Sequence, residues 1–145
     1  MTHSFLVESG HWNVNGYWLR PNSTPILLQG EVQIVWKRDN WFKMTTDLTC
    51  DDETATKIVC QCRGNLNYEE KHYTYIGQHN LWGNIEGEGR LGVNSIVQHY
   101  WFMGTGIKQK GTDGFYRLDQ NSYSLTSSIF NSHSLENTIE AVLKR

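Results

Sequence analysis

The sequence predicts an all-β domain with a coiled or closed antiparallel sheet, and three observations carry that expectation. Residues 81–103 read as two long strands meeting at Gly92-Val93-Asn94-Ser95. In the first, Leu81, Gly83, Ile85, Gly87, Gly89 and Leu91 alternate with Trp82, Asn84, Glu86, Glu88 and Arg90, the period of two that a strand requires. Second, three glycines on one face of that strand would pack nothing in a flat sheet, so they mark bends, bulges or a close backbone approach. Third, 13 glycines, six tryptophans, seven tyrosines and five phenylalanines against only two prolines suit a chain of many strands and turns.

Taken in order, residues 5–19 open with a short turn and a first strand on which Trp12, Val14 and Trp18 share a face. Residues 20–24 are a loop on proline and asparagine chemistry. Residues 26–37 and 41–50 form a hairpin across Arg38-Asp39-Asn40: Val32, Ile34 and Trp36 alternate with polar residues in one arm, and Phe42, Met44 and Leu48 in the other. Asp51-Asp52-Glu53 lacks the ligand spacing and central glycine of a calcium loop and reads as a solvated turn. A strand over 56–63 turns at Gly64-Asn65 into residues 66–76, whose faces are mixed as in a wall lining a polar or occupied cavity, or in an irregular edge strand. After residue 103, Gly104-x-Gly106 lacks the strand-to-helix context of a phosphate cradle. A short segment at 107–110 and a Gly111-Thr112-Asp113-Gly114 turn lead to a hairpin of 115–118 and 122–130. Residues 135–145 fit helical and strand spacing alike. The strand is preferred because it would cover an exposed edge.

At 145 residues the chain forms one domain, residues 1–145, able to bury a core without staples. A net charge of -2 gives no broad field for nucleic acid or anionic lipid. With no basic leader, no apolar run of membrane-spanning length and an odd set of cysteines, the expectation is a cytoplasmic protein without membrane insertion. Cys50, Cys60 and Cys62 read as buried reduced thiols rather than metal ligands, since no second close Cys or His pair follows at zinc spacing.

A glycine-tryptophan entry (Gly10-His11-Trp12), an up-and-down series of hairpins and a last strand ending in Lys144-Arg145 resemble the calycins, the lipocalin, fatty-acid-binding and nitrobindin-like barrels. The resemblance implies a single antiparallel up-and-down calycin-like β-barrel of about eight to ten strands, with a central cup for a lipid, fatty acid, haem or bilin. Nitrobindin-like barrels ligate haem iron through a histidine near or on the closing strand, where His133 is the nearest candidate. S-type phycobilin lyases share an N-terminal Phe, a Gly-x-Trp and a later Glu, similar to Phe5, Gly10, Trp12 and Glu31.

Several residues could carry chemistry. His99 shares a face with Val97, Trp101 and Met103, as a hydrogen-bonded wall residue or a general base. Glu86 and Glu88 form either a carboxylate pair or, beside Arg90, a charged exterior row. Arg117 shares a face with Phe115 in a strand that faces the cup in calycin-like barrels; it would clamp a ligand carboxylate there, or point outward. The expectation is a binding barrel for a small hydrophobic or amphipathic ligand. Trp36, Tyr100, Arg117 and Tyr123 are the lining candidates, with His72 and His99 as polar supplements; no residue is assigned to catalysis or to a metal. A rival reading is a lyase or isomerase moving protons with His99 or Glu86. A third is a structural barrel with a filled interior, working through its surface or forming a homodimer by an edge.

Overall fold

The period of two seen in the sequence becomes the in-and-out alternation of a closed wall. The computed structural model describes residues 2–104, 106 and 108–145. Its ten strands are β1 (Gly10–Leu19), β2 (Ile26–Trp36), β3 (Trp41–Cys50), β4 (Lys57–Asn67), β5 (His72–His79), β6 (Gly83–Leu91), β7 (Ser95–Phe102), β8 (Lys110–Asp119), β9 (Ser122–Phe130) and β10 (Leu135–Lys144). Each pairs antiparallel with the next, and β10 returns to β1 through a register running from Asn13↔Lys144 to Leu19↔Thr138. The all-β class and the single up-and-down barrel expected from the sequence are therefore the architecture formed. Closure leaves no unpaired strand edge among the described residues, so the edge that the third reading, a filled structural barrel, offers for a homodimer is absent.

Two turns expected from glycine lie inside strands instead. Gly64-Asn65 belongs to β4, which continues to Asn67, and Gly111-Thr112-Asp113-Gly114 belongs to β8. The β4–β5 reversal comes later, where the Asn67 side-chain oxygen accepts from the amides of Glu69 and Glu70 and Lys71 takes φ 53°. Of the residues after β7, Thr105 and Ile107 lie outside the described ones, and with them the middle of the Gly104-x-Gly106 stretch and the first residue of the 107–110 segment. The Arg38-Asp39-Asn40 turn is as expected: Asp39 and Asn40 have φ 60° and 62°, the paired positive values of the hairpin turn that matches strand twist.

Inside, the glycines make room for aromatic rings. Register sets Gly89 opposite Tyr73, Gly87 opposite Tyr75 and Gly111 opposite Tyr100. A Cβ at Gly89 or Gly111 would lie 2.1 Å from Cζ of its tyrosine, and one at Gly87 would lie 2.5 Å from Cζ of Tyr75. Each ring thus covers the bare backbone of its neighbour, and the glycine face of β6 is the complement of the tyrosine face of β5.

One end of the barrel is closed by the chain itself. Residues 2–9, expected to be a short turn, cross this opening with Phe5 and Leu6 buried beneath. Phe5 packs on Phe115 (4.7 Å between ring centroids), Trp12 (5.4 Å) and Tyr123 (5.6 Å). Polar contacts hold the segment to the rim. Ser4 donates to the Gln120 carbonyl at 2.7 Å, Trp36 Nε1 donates to the Leu6 carbonyl at 2.7 Å, and Glu8 pairs with Arg145.

Candidate functional site

Between this plug and the opposite end the barrel encloses a cavity of about 90 Å³. Its wall is mostly apolar, with Val32, Leu48, Ile58, Ile85 and Phe115 prominent, and Phe5 of the N-terminal segment contributes to it. Besides Thr46 of β3, a polar cluster enters from three neighbouring strands. Register aligns Gln98 of β7, Asp113 of β8 and Ser127 of β9 at one level, all facing inward. Their side chains form a chain of hydrogen bonds that ends on the carboxyl. Tyr73 Oη donates to Gln98 Oε1 at 2.7 Å, Gln98 Nε2 donates to Asp113 Oδ2 at 2.7 Å, and Ser127 Oγ donates to Asp113 Oδ1 at 2.5 Å.

The electrostatics follow from this burial. Asp113 has no Lys, Arg or His partner among the described residues. Burial pushes its carboxyl above the usual carboxylate range, while the bonds from Ser127 and Gln98 oppose that shift. Burial, with the Asp113 charge added, also holds Tyr73, Tyr75 and Tyr100 far above the ordinary phenol range. Cys60 and Cys62 are free thiols 3.5 Å apart on the same wall, and their contact together with burial raises the Cys62 thiol strongly. Burial thus favours the neutral forms of the three tyrosines and of Cys62, and Asp113 is the carboxyl of the cluster.

Of the six residues expected to line a cup, Tyr100 reaches the cavity. Trp36, Arg117 and Tyr123 gather at the plugged end and hold the N-terminal segment. Arg117 Nη1 donates to the Thr2 carbonyl at 3.0 Å, and Tyr123 Oη accepts from the Ser4 amide at 3.2 Å and meets His3 Nδ1 at 2.8 Å. His72 and His99 face outward: His72 Nε2 lies 3.2 Å from Glu88, and His99 lies against Trp101 with ring centroids 5.5 Å apart. Glu86 and Glu88 stand on the same outer face as Arg90. Asp113 is hidden in the sequence because Gly111-Thr112-Asp113-Gly114 has the composition of a turn, and Gln98 and Ser127 stand 15 and 14 positions away from it along the chain. The available signal was that Gly111, Asp113 and Phe115 continue one alternating face into the following hairpin.

The residues present do not suit a haem. None of the six histidines lines the cavity, and His133 lies exposed in the β9–β10 turn. The volume is also far below the roughly 300 Å³ at which small-molecule sites begin. Among the described residues no group of three or more His, Cys, Asp or Glu is placed to hold a metal ion. No helix of the described residues is long and apolar enough to cross a membrane.

Comparison with known proteins places the fold. No family model matches the chain, and no curated protein matches its sequence. Among solved structures it is similar to the S-type phycobiliprotein lyase CPES of Guillardia theta, with a TM-score of 0.65 and 11% identity over 94% of this chain and 86% of that one. It is also similar to Rv2717c of M. tuberculosis, with a TM-score of 0.72 and 13% identity over 94% of this chain and 91% of that one. At these identities the likeness is one of architecture, and that architecture is a closed ten-strand antiparallel β-barrel.

Proposed function

We propose that this protein binds a small amphipathic molecule inside the barrel. The observation that carries the reading is the mixed wall of the cavity: aliphatic and aromatic side chains on most sides, with one buried carboxyl and its two hydrogen-bond donors converging at one level. Apolar lining with a few convergent polar groups is the usual character of a ligand site, since the apolar part supplies affinity and the polar part orientation. The volume narrows the expected ligand. A cavity of about 150 Å³ holds a benzene, so about 90 Å³ suits a molecule of a few heavy atoms or the end of a longer chain. A whole fatty acid or a tetrapyrrole would need the interior to open.

A lyase or isomerase reading has one feature in its favour. The cavity holds a buried carboxyl that burial shifts toward its protonated form, the kind of perturbation that groups handling protons carry. In that reading Asp113 handles the proton, because His99 and Glu86 face away from the cavity.

Native mass spectrometry against the denatured mass, with thermal shifts for a panel of short alkyl alcohols, amines, carboxylates and benzene, tests the binding reading. The expected result is a co-purifying low-mass adduct, or uptake that stabilises the fold by about 2.7 kcal/mol at a hundred times the dissociation constant. A bare mass and no stabilisation by any panel member would overturn it, leaving the barrel as a filled scaffold.

A further inference from the structure

The polar cluster has a direction. Every hydrogen bond in it runs toward Asp113: the Tyr73 hydroxyl to Gln98, the Gln98 amide to one carboxyl oxygen, the Ser127 hydroxyl to the other. Each oxygen thereby accepts one bond and keeps a second acceptor site, and the carboxyl borders the cavity. The fold supplies no cation to it among the described residues. Buried carboxylates are ordinarily paired, so this one has an opening for a partner that arrives from outside. Around it stand the rings of Tyr75, Tyr100 and Phe115, whose faces attract a cation, and the side chains of Ile58 and Ile85, which suit a short hydrocarbon.

We propose that the cavity receives a small primary ammonium ion with a short alkyl chain, its N–H groups on the free acceptor sites of Asp113 and its hydrocarbon against the aliphatic wall. This rests on the binding reading above and adds the chemical class of the ligand. The charge pattern argues against the opposite class. A carboxylate ligand would face Asp113 with no arginine or lysine in the cavity to receive it, since Arg117 is turned to the Thr2 carbonyl at the plugged end. A neutral alcohol would fill the same space but would leave the carboxyl without a counter-charge.

The test is calorimetric titration of the full chain with n-butylammonium, 1-butanol and butyrate, which share a four-carbon chain and differ in the head group. Butylammonium is expected to bind about 30-fold or more tightly than either of the others, and Asp113→Asn to remove that preference, as loss of one partner of a buried ion pair does. In the unaltered protein, the carboxyl carbon resonance of Asp113 should shift as butylammonium is added and stay in place with 1-butanol, a readout that does not depend on the variant folding. Equal binding of butylammonium and 1-butanol, or an Asp113 resonance that does not move, would overturn the ammonium assignment while leaving a binding barrel. No binding by any of the three would overturn both.

Discussion

Gly89→Ala should destabilise the barrel by about 4 kcal/mol, although an alanine replacing glycine in a strand ordinarily stabilises by about 0.4–1 kcal/mol through the unfolded chain. The sign reverses because the new methyl would occupy the space of the Tyr73 ring. Tyr73 is fully buried and cannot swing into solvent, and its hydroxyl is bonded to Gln98. Overpacking of this kind costs about 1–3 kcal/mol. Displacing the ring also leaves the buried Gln98 oxygen without its donor, at about 1–3 kcal/mol more. Urea unfolding of Gly89→Ala, Tyr73→Leu and the double variant separates these contributions. Shortening residue 73 removes the collision, so the double variant should be less destabilised than the sum of the singles by about 1 kcal/mol or more. A Gly89→Ala protein as stable as its parent would show that the glycine is not holding space for the ring.

Stability should also fall by about 3 kcal/mol as the pH drops from about 6.5 to 4, on account of His79. This ring is buried against Trp82 and Phe102, with centroids 4.6 and 6.1 Å away, and its Nδ1 accepts the Leu81 amide at 3.1 Å. Nδ1 as acceptor defines the neutral tautomer with its proton on Nε2, and burial lowers the pKa from 6.5 to about 4. Between those values the unfolded chain binds the proton and the native barrel does not, so acid favours unfolding. The contribution is complete above about pH 6.5 and is lost as the pH falls through about 4. Asp113 acts with the opposite sign: its raised pKa means the native state holds a proton that the unfolded chain releases, which adds stability as the pH falls. His79→Gln should flatten the fall between pH 6.5 and 4 in urea midpoints taken at stepped pH. An unchanged slope in that variant would remove His79 as its cause.

The wall of the barrel was readable because each strand carries its own period, and a period survives without knowledge of what lies opposite. Val32 and Ile34, or Phe42 and Met44, announce an inner face within a few residues. The mixed face of β5 was harder, since Tyr73 and Tyr75 make sense only once Gly89 and Gly87 are known to lie across from them. The two glycine-bearing stretches misread as turns have the same origin. Gly64 and Gly111 look like chain reversals in isolation but are the spaces under Phe42 and Tyr100. The site was least legible. Gln98, Asp113 and Ser127 are separated in sequence and meet through the pairing of three strands, a register that no single segment encodes. Trp36, Arg117 and Tyr123 read as cup residues because aromatic and basic side chains suit a ligand, and what they hold is the chain's own N-terminal segment.

The tyrosine rings laid over Gly87, Gly89 and Gly111 also give the interior a magnetic signature. Protons held close to an aromatic ring feel the field of its circulating electrons, so the α-protons of these three glycines should resonate away from ordinary glycine positions. Tyr75 and Tyr100 border the cavity, whereas Tyr73 touches it only through Gln98. A guest that tilts the first two rings would therefore shift Gly87 and Gly111 and leave Gly89 as an internal reference.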